Sequence, residues 1–311
     1  MLRRLELALA IDKHRSFHRA ARAMGISQPS LTRALQVLET ELGVRLFERG
    51  NADCEPTEFG RAVLAHARRI VSEVADAKRG IALLQGLETG EFRIGAASFV
   101  AQIWLGTAIG EVSAAYSHLR IRNIEYVYQH LPDALLAAEI DVAIGESSDL
   151  SNYPNIVVSA FPRRPGSVIC RVGHPLTELE TVGIDDLARF PLVSPQLPPR
   201  IAMHLPATSA LGALSKRSRY FMPAILTTTL IGIGDVVGGS TALGFVPRAA
   251  LPDLAKRCGV VPLPFGPSWL STQQALMWRH DRMMHPALNH FRDAARRAEG
   301  AVMGGRRKAV D

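Results

Sequence analysis

The sequence predicts an α/β protein with a small helical head, and three observations carry that prediction. Residues 16–49, SFHRAARAMGISQPSLTRALQVLETELGVRLFER, read as a helix-turn-helix. From Thr57 to about Leu87 a proline-free stretch carries a heptad seam. Beyond about residue 91, short apolar runs alternate with helical stretches, which is the grammar of βαβ units. A chain of 311 residues with 47% hydrophobic content has room for two such domains.

In the head, Ala21, Gly25 and Leu31 supply a small residue where two helices cross, a glycine free to take positive φ in the turn, and an apolar residue returning to the core. Ser27 is the hydroxyl cap of the second helix, Pro29 sits in its first turn and Gly43 is placed to end it. Leu31, Leu35, Leu38 and Leu42 form an apolar stripe, which leaves Gln28, Ser30, Thr32, Arg33 and Gln36 on other faces. Amide, hydroxyl and guanidinium groups in that arrangement suit base edges and phosphates, so double-stranded DNA is the first partner to consider. The net charge of +7 agrees, and residues 1–50 carry nine bases against five acids.

GNADCEPT, after Arg49, leaves room for a small wing and ends at Thr57, which can cap a new helix. Along that helix Val63, Ala67, Ile70, Val74, Ala77, Ile81 and Leu84 recur at steps of four and three. A seam of this length favours a subunit contact over a helix packed only on its own domain. The opening MLRRLELALAIDKHRSF is interrupted by Glu6, Asp12 and Lys13 and reads as an amphipathic helix, not a signal peptide. No run has the length of a membrane span, and Cys54, Cys170 and Cys258, odd in number and widely spaced, fit a reducing cytoplasm. His280, His285 and His290, five apart, do not share a helix face, so no metal or other cofactor is expected.

Strands are predicted at 92–96, 122–127, 141–145, 167–172, 191–194 and 243–247, with helices near 100–116, 131–138, 184–189 and 228–238. Proline-rich breaks at 161–166 and 262–269 divide two lobes, and the last strand, QQALMWRH, and a helix from about 284 to 298 return to the first. The domains expected are residues 1–59 (head), 60–90 (linker helix) and 91–299 (body), with lobe 1 near 91–163 and 267–299 and lobe 2 near 164–266. Residues 300–311 read as a disordered tail.

The run AARAMGISQPSLTRALQVLETELGVRLFER, with the linking helix and the two lobes, resembles the LysR-type transcriptional regulators over roughly residues 2–298; HPL (174–176), AAEIDVAIG (137–145) and LGFVP (243–247) add weaker likeness. The resemblance implies a cytoplasmic winged helix-turn-helix regulator with a two-lobed, periplasmic-binding-protein-like α/β effector domain. It implies DNA contacts by Ser27, Gln28, Pro29, Ser30, Thr32, Arg33, Gln36 and, beside the wing, Arg49. It further implies a homodimer or homotetramer joined through Val63, Ala67, Ile70, Val74, Ile81 and Leu84, with RNA polymerase a candidate partner. A small, anionic organic effector would lie between the lobes, near Ser98, Phe99, Tyr128, Gln129, Ser194, Pro195, Thr227 and Thr228. Arg163, Arg164 and Arg200 are further sources of positive charge. The sequence departs from the family pattern at Pro56 and Phe59 in the wing, with Asp53 and Glu55 where bases are common, at the turn Ser240–Ala242, and at Tyr128.

The competing reading is an α/β enzyme or small-molecule-binding protein whose helix-turn-helix serves only for assembly. No GxSxG, HExxH or P-loop is present to support catalysis. The glycines of LIGIGDVVGGS have the wrong spacing for a dinucleotide loop and read as a loosely packed helix.

Overall fold

The computed structural model describes residues 1–48, 54–84, 91–97, 99, 101–148, 150, 153–215, 219–280 and 285–304. The head consists of α1 (Leu2–His14), α2 (Phe17–Ala23), α3 (Gln28–Leu42) and the long α4 (Glu58–Leu84). Its core gathers Leu7, Ile11, Ala21, Leu31, Leu35, Leu38, Leu46 and Phe47. Local chemistry sets the joints. Gly25 takes φ +67 between α2 and α3, and Gly43 ends α3 at φ +70, both in the region that a side chain disfavours. Leu42 departs from the predicted stripe: it is exposed on the last turn of α3, past the edge of the core.

Of the wing, the described residues form a bridge between Phe47 and Pro56, with the Glu48 N–H donating to the Glu55 carbonyl. Thr57 then caps α4, its hydroxyl accepting from the Gly60 N–H at 2.9 Å and donating to the Arg45 carbonyl at 2.7 Å. Gly60 lies so close to the chain before the wing that a Cβ there would come within 1.9 Å of the Leu46 carbonyl oxygen. The heptad seam of α4 divides into two parts. Ala67 is buried in the head's own core with Leu64, and Val63 and Val71 pack against it. The expectation that Ala67 faces a partner is therefore corrected, because the first turns of α4 are needed to close the head. Ile70 and Ile81 are exposed and Val74 is half-buried; the side chain of Leu84 lies outside the described residues.

The body holds two mixed sheets. The first runs β2-β1-β3-β14-β4, from β1 (Glu91–Ala97), β2 (Arg120–Tyr126), β3 (Val142–Glu146), β4 (Ile156–Ala160) and β14 (Gln274–Arg279). The first three strands are parallel, and β14 inserts antiparallel between β3 and β4. A π-helical turn (Ala101–Leu105), α5 (Gly106–Ala115) and the last helix, α11 (Ala287–Gly304), cover this sheet through Trp104, Leu105, Val112, Leu288 and Phe291, and Phe161, just after β4, packs among them. Helix α11 continues to Gly304, so the tail predicted to be disordered from residue 300 is helical through that point. The short α6 (Leu131–Leu136) follows a 3-10 turn at Tyr128–His130.

The second sheet runs β10-β6-β11-β5-β12, from β5 (Arg164–Arg171), β6 (Leu192–Ser194), β10 (Ile225–Leu226), β11 (Leu243–Pro247) and β12 (Val260–Pro262). The returning β13 (Ser271–Thr272) pairs with β5. One face is packed by α7 (Ile184–Leu187) and α8 (Pro199–Ala202), the other by α9 (Leu230–Gly238) and α10 (Leu251–Cys258). A small sheet of β7 (Thr208–Ser209), β8 (Gly212–Leu214) and β9 (Phe221–Pro223) is added to this lobe. The glycine-rich α9 is tightly packed, contrary to expectation. A Cβ on Gly234 would meet the Cys258 sulfur at 2.6 Å, and one on Gly238 would meet the Cys258 carbonyl oxygen at 2.4 Å, so these glycines let the end of α10 approach the helix closely.

Candidate functional site

In the head, the exposed side of α3 forms a shallow concavity lined by Gln28, Pro29, Thr32, Arg33 and Gln36. Ser27 caps the helix by accepting from the Ser30 N–H at 3.3 Å, and the two hydroxyls are 2.8 Å apart. These groups are brought together because Leu31, Leu35 and Leu38 turn the other side of α3 inward. Arg49 and Asp53 lie outside the described residues. Ion pairing decides which charges remain available. Arg4 holds Glu41, Arg15 holds Asp12 and Glu55, and Arg68 holds Asp12. Among the described residues, Arg19, Arg22, Arg33 and Arg45 are exposed and form no ion pair. Glu55 is paired with Arg15, which it shares with Asp12.

In the body, a cavity of about 180 Å³ lies at the carboxyl ends of strands from both lobes, the place where open α/β sheets hold ligands. Phe99, Tyr126 and Tyr128 line it from lobe 1, and Pro195, Leu197, Ile201, Leu226 and Thr228 from lobe 2. Tyr128 meets the ring of Tyr220 edge to face, with centroids 6.0 Å apart. Three further bridges span the cleft. The Gln129 side-chain amide donates to Gln196 Oε1 at 2.9 Å, the Leu230 N–H donates to Gln102 Oε1 at 2.8 Å, and Arg200 grips Glu146 through Nε to Oε1 at 3.0 Å and NH2 to Oε2 at 2.7 Å.

Of the eight effector residues read from the sequence, Phe99, Tyr128, Pro195 and Thr228 line this cavity. Ser98 lies outside the described residues. Gln129 is engaged with Gln196, and the Thr227 N–H donates to the Ser194 carbonyl. The expectation for Ser194 is corrected: its side chain is fully buried and donates to the neighbouring Pro195 carbonyl at 2.7 Å, so its hydroxyl does not face the cavity. Arg164 and Arg200 are not solvated loop cations either. Arg164 is buried against Glu299, and Arg200 is spent on Glu146. Tyr126, Leu197, Ile201, Leu226 and Glu146 were not anticipated; Tyr126, Glu146 and Leu226 stand at strand ends and Leu197 shortly after one, whereas Ile201 comes from the short helix α8.

The titratable groups of lobe 2 are structural. Burial pushes the Cys170 thiol up to about 11, so thiolate is scarce at neutral pH, and burial beside Asp235 also raises Cys258. His174, of the HPL run, is fully buried, accepting from the Leu176 N–H at Nδ1 and contacting the Thr241 carbonyl at Nε2, which fixes the turn before β11. Burial lowers its pKa below the usual histidine range. The unfolded chain therefore binds this proton first, so stability is intact above about pH 6.5 and falls as pH drops below it. Replacing His174 with Gln should flatten this acid-side slope in urea denaturations between about pH 7 and about pH 5; an unchanged slope would assign the acid sensitivity elsewhere.

A helix-turn-helix head with unpaired surface arginines, followed by a two-lobed α/β body with a cavity at its strand ends, is the build of a DNA-binding regulator with an effector-binding domain. Residues 2–61 match the model of the bacterial regulatory helix-turn-helix protein of the lysR family, and residues 85–300 match that of the LysR substrate binding domain. The chain belongs to the LysR family of transcriptional regulators, which are not enzymes. It is similar to the SDS degradation transcriptional activation protein of Pseudomonas sp., 29% identical over 295 residues and covering 94% of each chain. Among solved structures it resembles a full-length OxyR variant from Pseudomonas aeruginosa, at 19% identity and TM-score 0.65 over 95% of this chain and 94% of that one. It also resembles CbnR complexed with its target DNA, at 20% identity and TM-score 0.61 over 96% of this chain and 99% of that one. No helix among the described residues is long and apolar enough to cross a membrane.

Proposed function

We propose that the chain is a ligand-responsive, sequence-specific regulator that reads DNA through Ser27, Gln28, Pro29, Ser30, Thr32, Arg33 and Gln36, with Arg49 beside the wing. The observation that carries this reading is the grouping of Gln28, Thr32, Arg33 and Gln36 on one exposed face of α3, backed by a leucine core and flanked by unpaired arginines. Gln28 has the bidentate geometry for adenine, Thr32 a methyl for thymine, and Arg33 a fork for guanine or phosphate. Two heads would be joined along the exposed part of α4 at Ile70, Val74 and Ile81, as a dimer or a dimer of dimers, acting with RNA polymerase at a promoter. The effector would be a small organic molecule with a largely apolar body, in keeping with the aromatic and aliphatic lining of the cavity. Binding there acts on DNA only if the ligand prefers one arrangement of the lobes over another.

The test uses a selected binding site and random duplex side by side. Gln28→Ala or Thr32→Ala should cost on the order of 1–3 kcal/mol on the selected site and little on random DNA. Equal losses on both duplexes would reduce these side chains to backbone contacts.

A further inference from the structure

We propose that the cleft selects an uncharged, largely apolar ligand and turns away free carboxylates, because Glu146 already occupies the anion's place on Arg200. The inference rests on the reading of the cavity as the effector site and revises the charge expected of the ligand.

Among the described residues, two features at the cleft could attract an anion; the first is filled from within and the second is filled at two of its N–H groups. The first is the Arg200 guanidinium, the cation that lines the cavity among the described residues. Its fork is closed on Glu146 by two bonds, and NH2 donates in addition to the Ser271 carbonyl at 2.6 Å. The Glu146 carboxylate is itself positioned by the Gln273 N–H at 3.4 Å. A planar guanidinium saturated in this way has no second carboxylate-shaped face toward the cavity. The second feature is the N-terminus of α9, whose free N–H groups would favour negative charge. There the Leu230 N–H is taken by Gln102 from the opposite lobe, and the Gly232 N–H by the Thr229 hydroxyl at 3.1 Å.

An incoming carboxylate would have to expel Glu146 from a half-buried site, leaving that acid unpaired, or sit beside it as a like charge. A neutral molecule meets neither penalty. Its apolar body would contact Phe99, Tyr126, Leu197 and Leu226, and one hydroxyl, carbonyl or amide group could exchange hydrogen bonds with Thr228 or Gln196. The chemical class is that of small alcohols, aldehydes, amides and esters. Glu146 is then a specificity-determining residue: an internal carboxylate that stands where a ligand's acid group would otherwise bind.

Matched pairs differing only in the acid group test this: benzyl alcohol against benzoate, and hexan-1-ol against hexanoate. Each is titrated calorimetrically into the full-length chain and soaked into its crystals to locate it. With the natural sequence the alcohols should bind in the cleft about tenfold or more tighter than their acids. In Glu146→Gln, which frees Arg200, the order should reverse. In Glu146→Gln/Arg200→Gln, which removes both charges, the alcohols should still bind and the acids should gain nothing, separating charge from packing. If the probes occupy the cleft but the alcohol-to-acid ratio is the same with and without Glu146, the charge inference is overturned and the cavity keeps its role. If no probe occupies the cleft in any of the three proteins, including the acids with Arg200 freed, the effector-site reading falls and takes the inference with it.

Discussion

Raising the salt from about 50 to about 200 mM should weaken binding to specific DNA by roughly 1,000- to 100,000-fold, the largest effect expected of this protein. Each phosphate neutralised releases a counterion and contributes about −0.9 to the slope of log affinity against log salt. Arg19, Arg22, Arg33 and Arg45 are exposed and unpaired among the described residues of the head, while Arg4, Arg15 and Arg68 are held by acids. Two heads on one site, the arrangement proposed above, would give a slope of about −7. Arg33→Ala should reduce its magnitude by about 2 in the dimer, one contact per head. Ile70→Glu, which sets a charge on the exposed part of α4, should produce monomers by sedimentation and about halve the slope. A steep slope unchanged by Ile70→Glu would place the subunit contact elsewhere, and a flat slope would remove these arginines from the interface.

Glu299→Ala should destabilise the body by about 3–5 kcal/mol. Arg164, at the start of β5, and Glu299, on α11, are both buried. The guanidinium bonds the Glu299 carboxylate through Nε and the Glu299 backbone carbonyl through NH2. Removing the acid leaves a buried cation with a backbone carbonyl as its remaining partner among the described residues, and the cost of an uncompensated charge outweighs the packing lost. Arg164→Met/Glu299→Leu should recover most of the loss, since an apolar pair of similar volume carries no desolvation penalty. Urea denaturation of the full chain measures both. A loss below about 1 kcal/mol in the single variant would mean that water reaches the pair and screens it.

The head was legible because its instructions are local. Ser27, Gly25, Gly43 and the leucines of α3 act within a few residues of themselves, so caps, turn and buried face could be read from spacing. The strands of the body were legible as apolar runs, and LGFVP (243–247) coincides with β11. Three things were hidden. β4 is an edge strand with Val158 exposed, beside prolines that read as a break. The strands β7 to β10, β12 and β13, of two or three residues each, are too short to show a period. The cleft's polar bridges join residues far apart in the chain, as Arg200 and Glu146 do across 54 positions, so their pairing exists only once both lobes are folded. The glycines of α9 misled for a related reason: their use is set by Cys258, which arrives from another helix.

The insertion of β14 between β3 and β4 orders the birth of the molecule on the ribosome. The head is fully encoded by residue 84 and the strands of lobe 2 by Thr272, but β4 gains its neighbour only when Gln274–Arg279 has been made, and α11 comes later still. At roughly 5–20 residues per second, lobe 1 waits roughly 10–40 s between emergence of its first strand and arrival of its last. Throughout that interval the nascent chain carries a finished DNA-reading head tethered to an unfinished sensor, and a chain broken off by a late stop codon would stay in that condition permanently. Such fragments would compete for the same binding sites while deaf to the effector, so late truncations should behave as dominant alleles.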